Sequence, residues 1–181
     1  MEKSLARQSK FLSLILRHRP EVIDLALDSQ GWADVDELLQ QLKTHGKGVS
    51  REQLIEIVET NDKQRFGFNG DRTRIRANQG HSININLGLT PQIPPPYLFH
   101  GTTSRFLNSI RRQGLLPRNR QHVHLSQDQI TAEKVGKRHG KPVILGVNSG
   151  EMANQGLTFF RSDNGVWLTE NVPVQYLHFP T

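Results

Sequence analysis

Four segments of the chain set guanidinium or ammonium groups beside amides and imidazoles. They are Arg17-His18-Arg19, Lys63-Gln64-Arg65, Arg76-Ala77-Asn78-Gln79-Gly80-His81-Ser82, and Arg120-Gln121-His122-Val123-His124-Leu125-Ser126. A guanidinium is a planar fork that meets two oxygens of a phosphate at once, and a neighbouring imidazole donates a hydrogen bond or a proton near neutral pH. A site made of such groups suits a phosphate monoester. Each segment also has a plainer reading. Arg17, His18 and Arg19 follow an apolar helical pattern, so they also match the negative end of a helix dipole, at ~0.3–1 kcal/mol per charge. His122 and His124 share one face of a strand and could hold a metal, but no carboxylate or further histidine is spaced nearby to complete it.

The elements that must carry these residues follow from periodicity and stop signals. Leu5, Phe11, Leu12, Ile15 and Leu16 recur at helical spacing, and Pro20 ends the helix. Asp34 can cap a second helix with Val35, Leu38, Leu39 and Leu42 on its apolar face, and Ser50 with Gln53 forms a capping-box spacing for a third helix, to about Asn61. Arg65 to Phe68 and Arg74 to Arg76 alternate around Asn69-Gly70-Asp71, which predicts a β-hairpin. Three helices and a hairpin suggest a winged-helix module, its arginines turned to solvent or to a nucleic-acid backbone; a solvated edge hairpin is the plainer alternative. Thr90 to Pro96 is proline-rich and is expected to be a stiff linker. Beyond it, strands at 97–100, 122–126, 142–147, 157–160, 166–169 and 174–179 alternate with helices, one capped by Thr102 or Thr103 and one opened by the Ser126/Gln129 spacing and running to about Arg138. The expectation is an α+β chain: a lobe over 1–90, a linker over 91–96, and a lobe over 97–181 with a small central β-sheet.

Composition narrows the class of partner. The net charge of +6 fits a polyanion. Residues 1–90 carry 13 Lys/Arg against 12 Asp/Glu, residues 91–181 carry 10 against 5, and no acid occurs between Tyr97 and Gln127. Each half therefore has a local basic patch, and the two could face one cleft. The absence of cysteine removes disulfides, thiol nucleophiles and cysteine-held metals. No run of apolar residues is long enough to span a membrane, and none near the N-terminus resembles a secretory signal, so a cytoplasmic location is the expectation. The glycine-rich dinucleotide fingerprint is missing, which argues against a hydride-transfer fold.

Taken in order, Ser9-Lys10-Phe11-Leu12-Ser13, the four cationic segments, His100-Gly101-Thr102 and Asn164-Gly165-Val166-Trp167-Leu168-Thr169 resemble the NAD-dependent RNA 2′-phosphotransferase family over nearly the whole chain. The resemblance implies a winged-helix-like lobe that binds an RNA 2′-phosphate and a second lobe with the ADP-ribosyltransferase fold. It implies NAD as co-substrate without a metal, a tRNA-like RNA bearing a 2′-phosphate as partner, and a monomer. By the same resemblance, Arg17, His18, Arg65 and Arg120 are the catalytic residues, and His100, Gly101, Thr102, His124, Ser126 and Val166 bind NAD. Arg19, Arg76, Gln79 and His81 are expected near RNA, and His100 beside Phe99 could equally be a core histidine. Where protein-modifying relatives commonly have glutamate, this chain has Val166, which argues against a protein acceptor. The expected reaction transfers an internal 2′-phosphate to NAD, giving nicotinamide, ADP-ribose 1″,2″-cyclic phosphate and RNA with a free 2′-hydroxyl. The alternative is ADP-ribosylation of a terminal phosphate of a nucleic acid.

Overall fold

The computed structural model describes residues 2–61 and 63–180, leaving out the side chains of residues 2, 3 and 139. The chain forms two compact units, Met1–Gly88 and Leu89–Thr181.

In the first unit, helix α1 (Glu2–Arg17), strand β1 (Ala33–Asp34), helices α2 (Val35–Thr44) and α3 (Arg51–Glu59), and strands β2 (Phe66–Phe68) and β3 (Arg74–Ala77) follow in order. The apolar stripe of α1 decides the packing: Leu12, Ile15 and Leu16 are buried in one cluster with Leu38, Leu42, Leu54, Ile57, Phe66 and Ile75. Each such side chain contributes ~1.5–3 kcal/mol of burial. Both predicted caps are present. The Asp34 carboxylate accepts from the Glu37 amide at 2.9 Å, and Ser50 and Gln53 exchange bonds of 3.2 and 3.0 Å. The three strands make an antiparallel sheet in the order β1-β3-β2. The hairpin has Phe66 opposite Ala77 and Phe68 opposite Ile75, and β1 is an addition that two residues of sequence do not announce.

In the second unit, β4 (Leu98–Thr103), α4 (Ser104–Gln113), β5 (Val123–Leu125), α5 (Gln129–Gly136), β6 (Pro142–Val147), α6 (Ser149–Asn154), β7 (Phe159–Arg161), β8 (Trp167–Thr169) and β9 (Leu177–His178) build two antiparallel sheets. Their orders are β4-β6-β9 and β5-β8-β7. The expected single central sheet is therefore divided, and a bridge between Phe99 and Ser126 joins the halves. That bridge also corrects one cap. Ser126 exchanges backbone hydrogen bonds of 2.8 Å with Phe99, so it stays in the sheet, and Asp128 caps α5 by accepting from the Thr131 amide at 2.7 Å. Regular α-helix ends at Gly136, and Lys137–His139 continue as a 3-10 turn.

The proline-rich stretch is not a free linker; it is tied to the second unit. The Gln92 amide donates to the Phe159 carbonyl at 2.8 Å and the Gly150 amide to the Pro96 carbonyl at 3.0 Å, and the Ser149 hydroxyl donates to the Pro95 carbonyl at 2.7 Å. Proline lacks an amide donor, but its carbonyl still accepts. Among the described residues, no helix is long and apolar enough to cross a membrane.

Candidate functional site

The first unit gathers its cations at the C-terminus of α1. Arg17 is the last residue of that helix, and its Nη2 donates to the Arg65 carbonyl at 3.3 Å. Arg65 Nη1 donates to Asn61 Oδ1 at 3.2 Å, and Asn61 Nδ2 reaches Ser9 Oγ at 3.1 Å. A cavity of about 270 Å³ beside them is lined by Ser9, Asn61, Lys63 and Arg65 among others.

The segment after β3 straps this corner together. The Asn78 amide donates to the Arg65 carbonyl at 2.9 Å and the Ser82 amide to the Arg17 carbonyl at 3.0 Å. Asn78 Nδ2 donates to the Gln64 carbonyl at 2.7 Å. Ser82 Oγ lies 2.9 Å from His18 Nδ1. The strap thus holds the backbone of Arg17 and Arg65 and the ring of His18, the three residues of this unit expected to be catalytic.

His81 and Arg76 behave differently from a solvent-facing wing. His81 is 1% exposed and so does not stand on an open surface. Burial first, then the charges of Arg17, His18 and Arg76, push its imidazole down to about 4. Its Nδ1 and Nε2 are both buried without a hydrogen-bond partner. The Arg76 guanidinium stacks 4.5 Å from the Trp32 ring centroid and donates to the Leu87 carbonyl at 3.3 Å. Arg19 lies apart from this group in its contacts, paired with Glu21 at 3.1 Å on the surface. Arg74 pairs with Asp28 at 3.1 Å. Gln79, within the strap, is half-buried.

In the second unit, β4 and β5 bring their histidines together. His100 Nδ1 lies 3.1 Å from the His124 carbonyl. A carbonyl only accepts, so the proton sits on His100 Nδ1 and, in the neutral ring, Nε2 keeps its lone pair. Burial is the main cause that lowers the His100 pKa; the bond to His124 opposes it and the Arg120 charge adds to it. Arg120 Nη1 stands 2.7 Å from His124 Nδ1. Guanidinium is a donor only, so His124 accepts there and carries its proton on Nε2. A turn with the Arg120 amide bonded to the Pro117 carbonyl at 3.1 Å holds the arginine. Desolvation first and the Arg138 charge second lower the Arg120 pKa. Arg138 was not singled out from the sequence, where it is one more basic residue in a helix tail.

Ser126 and Val166 lie one step beyond the Leu125–Trp167 pair of β5 and β8. The Val166 amide donates to Ser162 Oγ at 3.2 Å, and Ser162 is 4% exposed; that hydroxyl closes the turn carrying Val166, a role its polar surroundings in the sequence do not mark. Gly101 lies under α5 so closely that a Cβ there would stand 1.8 Å from the Ala132 carbonyl oxygen. Thr102 is buried. His100, Arg120, His124 and Ser126 therefore form one group around the junction of the two sheets. A second cavity, of about 520 Å³, opens at the other end of β5 and β8, lined by Gln121, His122, Phe160 and Glu170 among others. None of the expected NAD residues lines it. Burial lowers the His122 pKa there, against the raising effect of Glu170. Among the described residues, no group of three His, Asp or Glu side chains is placed to hold a metal ion.

Chemically, each unit offers a cationic group suited to oxyanions, and the second adds two histidines with assigned proton positions. Comparison with known proteins bears on both. The profile of the RNA 2'-phosphotransferase, Tpt1 / KptA family matches residues 3–171. A probable RNA 2′-phosphotransferase of Hahella chejuensis is 53% identical over 177 residues, covering 98% of this chain and 95% of that one. One of Acaryochloris marina is 54% identical, covering 97% of both chains. The RNA 2′-phosphotransferase of Escherichia coli K12 is 50% identical over 179 residues, covering 98% of this chain and 97% of that one.

Proposed function

The chain belongs to the RNA 2'-phosphotransferase, Tpt1 / KptA family, and from that premise we propose that it removes an internal 2′-phosphate from RNA by transferring it to NAD. The observation that carries the reading is the family match across residues 3–171, which spans both cationic groups. In this reading the first unit is a winged-helix-like lobe for the 2′-phosphate, and the second is an ADP-ribosyltransferase-like lobe for NAD.

The attacking group is a phosphate that the RNA already carries, so the first step needs no protein nucleophile. It needs placement and charge. One phosphate oxygen attacks C1″ of the nicotinamide ribose as the bond to nicotinamide breaks through an oxocarbenium-like transition state. Arg17, His18 and Arg65 hold the phosphate in that step; the strap bonds that orient Arg17, His18 and the Arg65 backbone support the assignment. His100, Gly101, Thr102, His124, Ser126 and Val166 bind NAD. In the second step the ribose 2″-hydroxyl attacks phosphorus, the RNA leaves with a free 2′-hydroxyl, and ADP-ribose 1″,2″-cyclic phosphate forms. Arg120 neutralises the charge that grows on phosphorus, a role supported by its bond to a histidine rather than to a carboxylate.

Mass analysis of the products from NAD and an oligoribonucleotide with one internal 2′-phosphate tests the whole reading. Nicotinamide, the cyclic phosphate and the 2′-hydroxyl RNA in equal amounts are expected. A surviving ADP-ribosyl adduct on a terminal phosphate would replace the reading with nucleic-acid ADP-ribosylation, and inorganic phosphate without nicotinamide would overturn it.

A further inference from the structure

His81 combines three properties that stability alone does not explain. It is 1% exposed, both ring nitrogens lack a hydrogen-bond partner, and its surroundings include the charges of Arg17, His18 and Arg76. Each buried polar atom left unmade costs ~1–3 kcal/mol. A phenylalanine or leucine of similar volume would avoid that penalty. A neutral imidazole has one N–H to donate and one lone pair to accept. The guanidinium groups of Arg17 and Arg76 carry donors and no acceptor, so neither can receive the imidazole N–H. His18 Nδ1 already faces Ser82 Oγ at 2.9 Å. His81 Nε2 faces Gly31, where an added Cβ would stand 3.4 Å from it and 3.1 Å from Ile85 Cγ2. The imidazole N–H calls for an acceptor, and a phosphate monoester is a group of acceptors.

We propose that His81 is a buried hydrogen-bond donor of the anion site, unmet in the free protein and satisfied by a phosphate oxygen once a phosphate monoester draws Arg17 and His18 onto itself. The inference rests on the reading of this unit as the 2′-phosphate lobe. Its logic is that of a site held below its stability optimum so that the ligand completes it. His81 stays neutral while the site is empty, which spares the cluster a further cation. Neighbouring Ser82 couples the two states, because the same residue bonds the Arg17 carbonyl and the His18 ring.

The test uses the full chain and two labelled RNAs of one sequence, with and without a single internal 2′-phosphate, and it measures both dissociation constants and the melting temperature. The wild type should prefer the phosphorylated RNA. His81→Phe should melt at a higher temperature and lose at least tenfold of that preference, with an unaltered far-UV circular dichroism spectrum as the control for an intact fold. His81→Asn, which keeps an N–H donor, should recover part of the preference. If phenylalanine does not fit beside Gly31, His81→Leu carries the same expectation. Wild-type preference in both apolar variants, or an asparagine variant no better than they are, would overturn the proposal while leaving the function reading intact. No preference in the wild type itself would overturn both.

Discussion

The neutral imidazole at position 81 has a consequence for acid stability whose sign can be worked out. In the unfolded chain a histidine takes up its proton near 6.5, whereas the folded chain resists until about 4. This group's contribution is therefore whole above pH 6.5, declines as pH falls between those values, and levels off below about 4. The loss is roughly 3 kcal/mol by the linkage of a pKa shift to stability. Chemical denaturation at pH 7 and pH 4.5 should show the decline in the wild type and a smaller one in His81→Phe. The arginines divide at the same scale. Arg17→Ala and Arg65→Ala should slow the first step with little adduct seen. Arg120→Ala should cost ~10²–10³ in the second step and let ADP-ribosylated RNA accumulate on a denaturing gel, with Arg120→Lys only partly restored because a point charge replaces a fork. Adduct formation blocked as fully by Arg120→Ala as by Arg17→Ala would refute that division.

Among the described glycines, Gly101 of β4 has the least room for a side chain, because α5 packs against it. Ala132 O would sit 1.8 Å from a Cβ at residue 101, and a backbone atom cannot rotate away. Gly101→Ala should then cost at or above the ~1–3 kcal/mol typical of overpacking and disturb His100 next to it. A melting curve checks this, with Gly70→Ala as the control because nothing lies within 4 Å of a Cβ there. Ser50→Ala removes the cap of α3 and should cost ~1 kcal/mol. Elements with strong local signals were legible in the sequence: α1 from its apolar stripe and Pro20, α2 and α3 from their caps, the hairpin from alternation around Asn69-Gly70-Asp71. Those that depend on distant partners were not. The expected elements include none over Ser149–Asn154, which contains Gly150, yet it becomes α6 with Met152 fully buried and Gly150 bonded to Pro96. Likewise, the Ser126/Gln129 spacing imitates a cap because nothing local reveals that Phe99 claims Ser126. The candidate site was legible as residue types, since cations beside imidazoles stand out in any sequence. Its depth was not: nothing in Asn78-Gln79-Gly80-His81-Ser82 distinguishes a buried ring from a polar loop.

For the whole molecule, the reaction proposed here takes one NAD per phosphate removed and uses no metal. It should run undiminished in chelator, with nicotinamide and dephosphorylated RNA appearing in a one-to-one ratio; a requirement for added divalent ion would refute it. Its partner is a polyanion, and the chain carries a net charge of +6, so affinity for RNA should fall linearly on a log-log plot against salt, with a slope that reports the number of phosphates contacted. The division at Gly88/Leu89 and the tied prolines have one more consequence, for engineering. A tether sets the effective concentration of one module at another, and its length and stiffness are the variables. Here the composition points to the prolines as the adjustable part, but the carbonyls of Pro95 and Pro96 are occupied by Ser149 and Gly150. A spacer inserted among Pro94, Pro95 and Pro96 would break a seam of the second unit, whereas one inserted after Gly88 would leave that seam intact.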